Sequence, residues 1–241
     1  MRNLVIDVGN SHTKAGIFVR GELRIFEETT SNKELVKLAD KFEPDYIIIC
    51  SVTKPAEVLQ ELLFSYAKKV LVLDYRLPLP VHNLYESPQT LGMDRIASIC
   101  GAKKLFPDDN SLVIDIGTCV KYDFVEMNGN YYGGIISPGV QMRFQAMHKF
   151  TAKLPLVNAP ENGIELIGRN TTEALQSGVI NGMLAEIEGI ISRYKQQFVG
   201  FQALVCGGDA HYFETKINSP IFAVPKLVLV GLDSILQYNV S

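Results

Sequence analysis

Two segments of the chain set a carboxylate, a glycine and hydroxyl or amide side chains directly behind an apolar run. The first is Val5-Ile6-Asp7-Val8-Gly9, followed by Asn10-Ser11-His12-Thr13-Lys14. The second is Val113-Ile114-Asp115-Ile116-Gly117, followed by Thr118-Cys119-Val120-Lys121. Phosphate oxygens need dense donors, and a glycine turn lets backbone N–H groups reach them with no Cβ in the way. In the first copy Asn10, Ser11 and Thr13 add side-chain donors, and Lys14 adds a mobile cation for a β- or γ-phosphate. Asp7 suits a hydrated Mg²⁺, which takes one or two carboxylates and phosphate oxygens. In the second copy Thr118 can donate to phosphate, and Asp115 can bind a cation or orient water. A strand end closed by an Asx-turn uses the same residue types. The recurrence of the pattern at nearly half the chain length favours a duplicated phosphate-binding unit. Neither GxxxxGK[ST] nor GxGxxG occurs, which sets aside a Walker A loop and a dinucleotide fold.

Two further glycine segments carry polar chemistry. Gly92-Met93-Asp94-Arg95 puts a carboxylate beside a guanidinium, a pair suited to phosphoryl transfer onto a hydroxyl. The aspartate can take the proton of the nucleophile, and the arginine can stabilise the transferring group or an acidic substrate. The bland reading of the same residues is a helix N-terminus with a surface arginine. In Gly207-Gly208-Asp209-Ala210 the small residues would let a flat ring or a ribose lie against backbone. The four histidines, at 12, 82, 148 and 211, lack metal-ligand spacing, and Cys119 has no evident His or Asn/Asp partner for nucleophilic work. The serine-hydrolase elbow GxSxG is absent.

These residues need elements to hold them. The apolar patterns predict strands over 4–8, 13–19, 22–28, 46–51 and 70–74. They also predict a helix from a Ser31/Glu34 capping box to about Phe42, and another from Pro55 to near Lys69. Residues 75–91, with Pro78, Pro80 and Pro88, read as a long loop leading to a helix that ends near Phe106. Pro107-Asp108-Asp109-Asn110 marks the boundary between a lobe of residues 1–108 and one of residues 109–241. The second lobe repeats the opening with strands at 111–117, 119–126 and 130–136 and a helix after Pro138-Gly139. A long helix over Thr172–Gln197 follows, its apolar residues at helical spacing. A strand over 203–206 and a final helix from about Val228 to Tyr238 complete the chain. Such alternation predicts an α/β layer architecture.

The 241 residues, 47% of them hydrophobic, suffice for one large domain or two modest lobes. A formal charge of −3 with no long Lys/Arg run argues against nucleic-acid binding, which needs clustered cations. No apolar run approaches the roughly 18 residues of a membrane span, so no membrane partner is expected. Cys50, Cys100, Cys119 and Cys206 form no CxxC pair, and buried free thiols suit a reducing compartment. With Asp7 preceded by six residues, no signal peptide is expected before the first strand, and a cytoplasmic location follows as the expectation.

Taken in order, DVGNSHTK at 7–14, YESPQTLGMDR at 85–95, DIGT at 115–118, GGIISPG at 133–139, GRNT at 168–171 and CGGDA at 206–210 closely resemble the type III pantothenate kinase family. That family is a branch of the acetate kinase/sugar kinase/Hsp70/actin superfamily. The resemblance implies two ribonuclease-H-like lobes, each a mixed sheet flanked by helices, with ATP in the cleft between them. It also implies γ-phosphoryl transfer to the primary hydroxyl of pantothenate, giving 4'-phosphopantothenate, the first step of coenzyme A synthesis. By the same resemblance Asp94 is the proton acceptor, Arg95 contacts substrate or phosphate, and Tyr85 with Gly92, Met93, Asp94 and Arg95 lines the pantothenate pocket. Residues 7–14, Val8 and His12 included, and Thr118 contact ATP. Asp115 binds a monovalent cation, K⁺ or NH₄⁺, beside the Mg²⁺ requirement. The resemblance further implies a homodimer in which Thr171 reaches the neighbouring subunit's substrate, with Thr172 adjacent. The chain departs from the family after DIGT, where a small, threonine-rich stretch is replaced by Cys119-Val120-Lys121. Two rivals are a sugar or acetate kinase of the same superfamily and an actin-like or regulatory protein that binds nucleotide without phosphorylating a metabolite.

Overall fold

The computed structural model describes residues 1–9, 12–29, 31–53, 55–160 and 163–240. The described chain divides into two compact units. One comprises residues 1–111, 124–133 and 226–241, and the other residues 112–123 and 134–225.

The first sheet has the order β3-β2-β1-β4-β5, built from β1 (Arg2–Val8), β2 (Thr13–Val19), β3 (Glu22–Thr29), β4 (Tyr46–Ser51) and β5 (Lys69–Val72). β1, β2 and β3 form an antiparallel meander, whereas β4 and β5 run parallel to β1. Parallel neighbours require crossovers, and α1 (Asn32–Phe42) and α2 (Glu57–Leu63) supply them. Strand alternation then fixes the two faces. Leu4, Ile6, Val8, Ala15 and Ile17 join Leu35 and Leu59 in one core. On the other face Asn3 donates to Asp233 of the last helix, at 2.6 Å.

Ser31 caps α1, accepting the Lys33 N–H at 3.3 Å. The expected reciprocal capping box does not form, because the Glu34 carboxylate turns to the Thr29 hydroxyl instead. The second helix is shorter than its sequence pattern. After Leu63 the chain tightens into a 3-10 turn, Phe64–Tyr66, with Phe64 74% exposed. The apolar stripe has ended there, and Lys69 is already paired with Tyr46 in the sheet. The proline-rich stretch is not wholly a loop either. It holds the two-residue edge strand β6 (His82–Asn83) and a 3-10 turn, Pro88–Thr90.

The second sheet has the order β11-β10-β7-β8-β9-β6. Its strands are β7 (Ser111–Ile116), β8 (Cys119–Val125), β9 (Asn130–Pro138), β10 (Gln202–Cys206) and β11 (Phe222–Ala223), with β6 on the edge. Read from β9, the order β9-β8-β7-β10-β11 repeats that of the first sheet, so the VIDxG duplication is a duplication of sheet topology. The helices here are α4 (Val140–Lys149), α5 (Thr171–Gln197) and the short α6 (Ala210–Phe213). α3 (Met93–Leu105) and α7 (Leu227–Val240) pair in the first unit. That pairing is set by glycine. A Cβ on Gly231 would fall 1.6 Å from the Ala97 carbonyl oxygen, and one on Gly101 would fall 2.5 Å from that of Leu227.

Candidate active site

In the first unit Asp7 is the penultimate residue of β1 and lies directly opposite Lys14 of β2. By strand alternation both belong to the face that carries Asn3, away from the α1/α2 core. The turn between the strands is closed by the Gly9 N–H, which donates to the His12 carbonyl at 3.1 Å. A Cβ at position 9 would come within 3.2 Å of that same oxygen. The His12 ring stands 3.5 Å from Glu28 and is exposed. Val8 is buried, and its carbonyl accepts from the Val52 N–H at 3.2 Å. Asn10 and Ser11 lie outside the described residues.

Lys226, just before α7, is a cation that sequence reasoning missed. Its ammonium sits 3.2 Å from the centre of the Phe26 ring. Burial, followed by the Lys14 ammonium, holds it below the usual lysine range, while Glu28 pulls the other way. Among the described residues no ion pair involves Lys14 or Lys226, so two cations gather at the Asp7 strand end. Nothing in the local sequence marks Lys226. Only the packing of α7 onto the first sheet delivers it.

The same unit assembles the GxDR segment. Gly92 is the N-cap of α3, and Asp94 lies in the first turn. The Asp94 carboxylate folds back so that Oδ1 accepts the Arg95 N–H at 3.0 Å. A Cβ on Gly92 would sit 2.6 Å from that oxygen, so the glycine leaves the carboxylate room to fold back. Asp94 stays half-buried, whereas Arg95 is only 5% exposed. The Arg95 guanidinium lies over the Tyr85 ring, 5.7 Å from its centre. Tyr85 in turn lies against Gly133, whose φ is +119°, and a Cβ there would be 2.7 Å from the ring. Tyr85 and residues 92–95, the two ends of one eleven-residue stretch, thus form one wall.

In the second unit three glycine segments converge. The Gly117 N–H donates to the Cys119 carbonyl at 3.0 Å, the Gly139 N–H to that of Thr118 at 3.1 Å, and the Asp209 N–H to that of Ile116 at 2.9 Å. A Cβ on Gly139 would lie 2.1 Å from the Gly117 oxygen, and one on Gly207 would lie 2.3 Å from that of Ile116. Thr118 is exposed at this junction. A hollow of 530 Å³ adjoins it, lined by Val140, Gln141, Pro160, Asp209, His211 and Tyr212 among others. Burial pushes the Asp209 carboxyl up, against the pull of His211. Asp115 is paired with Lys121, Oδ2 to Nζ, at 2.6 Å.

Thr171 stands exposed at the first position of α5, with Thr172 exposed beside it. Asn170 caps this helix, accepting the Glu173 N–H at 3.0 Å, and Glu173 accepts from the Arg169 N–H and the Asn170 amide, each at 2.8 Å. Further down α5, Glu186 accepts from the Tyr122 hydroxyl at 2.9 Å and from Arg143. Burial works against the charge on Glu186, but the bonds from Arg143, Tyr122 and Ser137 outweigh it and hold the carboxyl below its usual range.

The chain is also similar to known proteins in fold and in sequence. A glucokinase from an Antarctic psychrotroph superposes with a TM-score of 0.54 at 9% identity, covering 98% of this chain and 99% of its own. A Campylobacter jejuni chain named for the Baf family of transcriptional activators gives 0.63 at 18% identity, covering 98% of both chains. At such identities the likeness concerns the fold alone, an α/β chain with two mixed sheets. A type III pantothenate kinase of Phocaeicola vulgatus is 42% identical over 239 residues, 98% of each chain. The family model for type III pantothenate kinase matches residues 3–193. The chain therefore belongs to the type III pantothenate kinase family.

Proposed function

We propose that the protein transfers the γ-phosphoryl group of ATP to the primary hydroxyl of pantothenate, giving 4'-phosphopantothenate for coenzyme A synthesis. Family membership supports the reaction. The observation that carries the site is the wall made by Tyr85, Arg95 and the Asp94 carboxylate. Its chemistry suits a small carboxylate-bearing alcohol: the guanidinium offers a fork to the carboxylate or to phosphate, and Asp94 accepts the hydroxyl proton as that oxygen attacks.

The Asp7–Gly9 turn, Asn10, Ser11, His12, Thr13 and Lys14 would hold the phosphates, and Thr118 would donate to them. The 530 Å³ hollow beside Asp209 has the size of a small-molecule site and takes the nucleoside in this reading. Asp7, a half-buried carboxylate at a strand end, fits Mg²⁺, and among the described residues no cluster of three ligating side chains competes for a metal. An ion sharing one carboxylate with phosphate oxygens is the usual Mg²⁺ arrangement, and it would supply charge neutralisation on the phosphates. Lys14 and Arg95 add fixed positive charge, which is most of what phosphoryl transfer asks of a protein. A separate K⁺ or NH₄⁺ at Asp115 does not fit the residues present, because Lys121 already holds that carboxylate. We further place the enzyme in the cytoplasm as a homodimer with Thr171 contacting the neighbour's substrate. No helix among the described residues is long and apolar enough to cross a membrane.

The test is direct. With ATP, Mg²⁺ and pantothenate the purified protein should yield ADP and a singly phosphorylated pantothenate by mass spectrometry. Asp94→Asn should lower kcat by about 10²–10⁴, the range for a lost general base, with an unchanged circular dichroism spectrum. Turnover near that of the wild type would reject Asp94 as the base, and no product from the wild type would reject the function.

A further inference from the structure

The Asp115–Lys121 pair is no surface decoration. The two side chains are 14% and 16% exposed, and Lys121 Nζ stands 2.6 Å from Oδ2. The other carboxylate oxygen, Oδ1, faces Gly207, where even a Cβ would intrude to 2.5 Å. One oxygen is thus taken by an ammonium and the other lies against Gly207. Holding a lysine here costs its hydration, and the carboxylate at 2.6 Å recovers part of that cost. The position is set by the β7–β8 hairpin, closed by the Gly117 N–H bond to the Cys119 carbonyl, and it echoes Asp7 opposite Lys14 in the first repeat.

An alkylammonium head is an ammonium ion with one hydrogen replaced by carbon. It brings an ammonium's N–H donors to the same oxygen. A free monovalent cation at this carboxylate would have to displace it or sit beside a like charge. We infer that Lys121 is a tethered monovalent cation: it supplies beside the DIGT loop the charge that a diffusible K⁺ or NH₄⁺ would otherwise provide, so this protein needs neither ion. This rests on the proposed kinase reaction, with the Asp115 loop at the nucleotide.

The experiment separates the two. Pantothenate phosphorylation is measured in choline chloride and then with K⁺, NH₄⁺ or Na⁺ at equal ionic strength. Wild-type rates should agree within about twofold across the series, and a gain of about tenfold or more with K⁺ or NH₄⁺ overturns the inference. Lys121→Thr should lose at least about tenfold in choline, as expected when fixed charge leaves a phosphate site, and should recover with K⁺ or NH₄⁺ but not Na⁺. A Lys121→Thr enzyme as active as wild type in choline also overturns it. Should the wild type make no product in any salt, the kinase reading fails, and cation binding still decides the present point. Tm and ²⁰⁵Tl⁺ resonance shifts should be indifferent to K⁺ in the wild type and respond to it in Lys121→Thr, since an ion that binds the folded state raises its stability. A K⁺-dependent rise in the wild-type Tm overturns the proposal without recourse to activity. If Lys121→Thr does not fold, the wild-type cation series and melts decide alone.

Discussion

At the scale of single residues, the side chain beneath the guanidinium matters as much as the guanidinium. Arg95 is buried and rests on the Tyr85 ring, which Gly133 admits by lacking a Cβ. A cation over an aromatic face contributes about 0.5–2 kcal/mol depending on desolvation. Tyr85→Ala removes both that contact and part of the substrate wall. KM for pantothenate should rise by about tenfold, equivalent to 1.4 kcal/mol, while KM for ATP changes little. Steady-state kinetics with each substrate varied in turn would show it, and an equal rise in both KM values would mean that Tyr85 serves the fold rather than the pocket. Lys226 shows the limit of reading single residues in sequence. Its own segment, Pro225-Lys226-Leu227, carries no motif, yet it ends beside Lys14 and Phe26.

At the scale of elements, the α3–α7 contact is a backbone-to-backbone approach, and two glycines make it possible. Gly231 in α7 would place a Cβ 1.6 Å from the Ala97 carbonyl oxygen, a backbone atom that no side-chain rotation can move. Gly231→Ala must therefore push the helices apart, although alanine favours a helix by up to about 1 kcal/mol over glycine. Overpacking of this kind costs about 1–3 kcal/mol, and here it should outweigh the propensity gain. Urea denaturation should give a lower midpoint than wild type. A higher midpoint would mean the helices separate without cost. The same shift carries to the site, since α3 begins at Gly92 and holds Asp94.

At the scale of the whole molecule, pH acts through clamps such as Glu186, which ties α5 to β8 through Tyr122 and to α4 through Arg143. Its folded carboxyl lies below the usual range. The stability it contributes is thus complete above the unfolded glutamate value, about 4.3, and is lost as pH falls through the folded value. Glu186→Gln should lower Tm by about 2–4 °C at pH 7, the shift expected per kcal/mol in a chain of this size. The gap should persist down to about pH 5 and close below about pH 4. Melts of both proteins across that range test it, and a gap that widened on acidification would contradict the sign. The sequence by itself determined the two VIDxG strand ends, the order of strands and helices around them and the resemblance to one kinase family. Those features are written in local periodicity and in glycine and carboxylate spacing, which a linear reading can see. Tertiary structure alone decided that the last helix returns to the first sheet, that Tyr85 slides under Arg95, and that Lys121 closes on Asp115. The first depends on missing Cβ atoms where helices distant in sequence meet, and the other two on how a turn and a hairpin aim side chains that are near in sequence, which apolar periodicity does not encode.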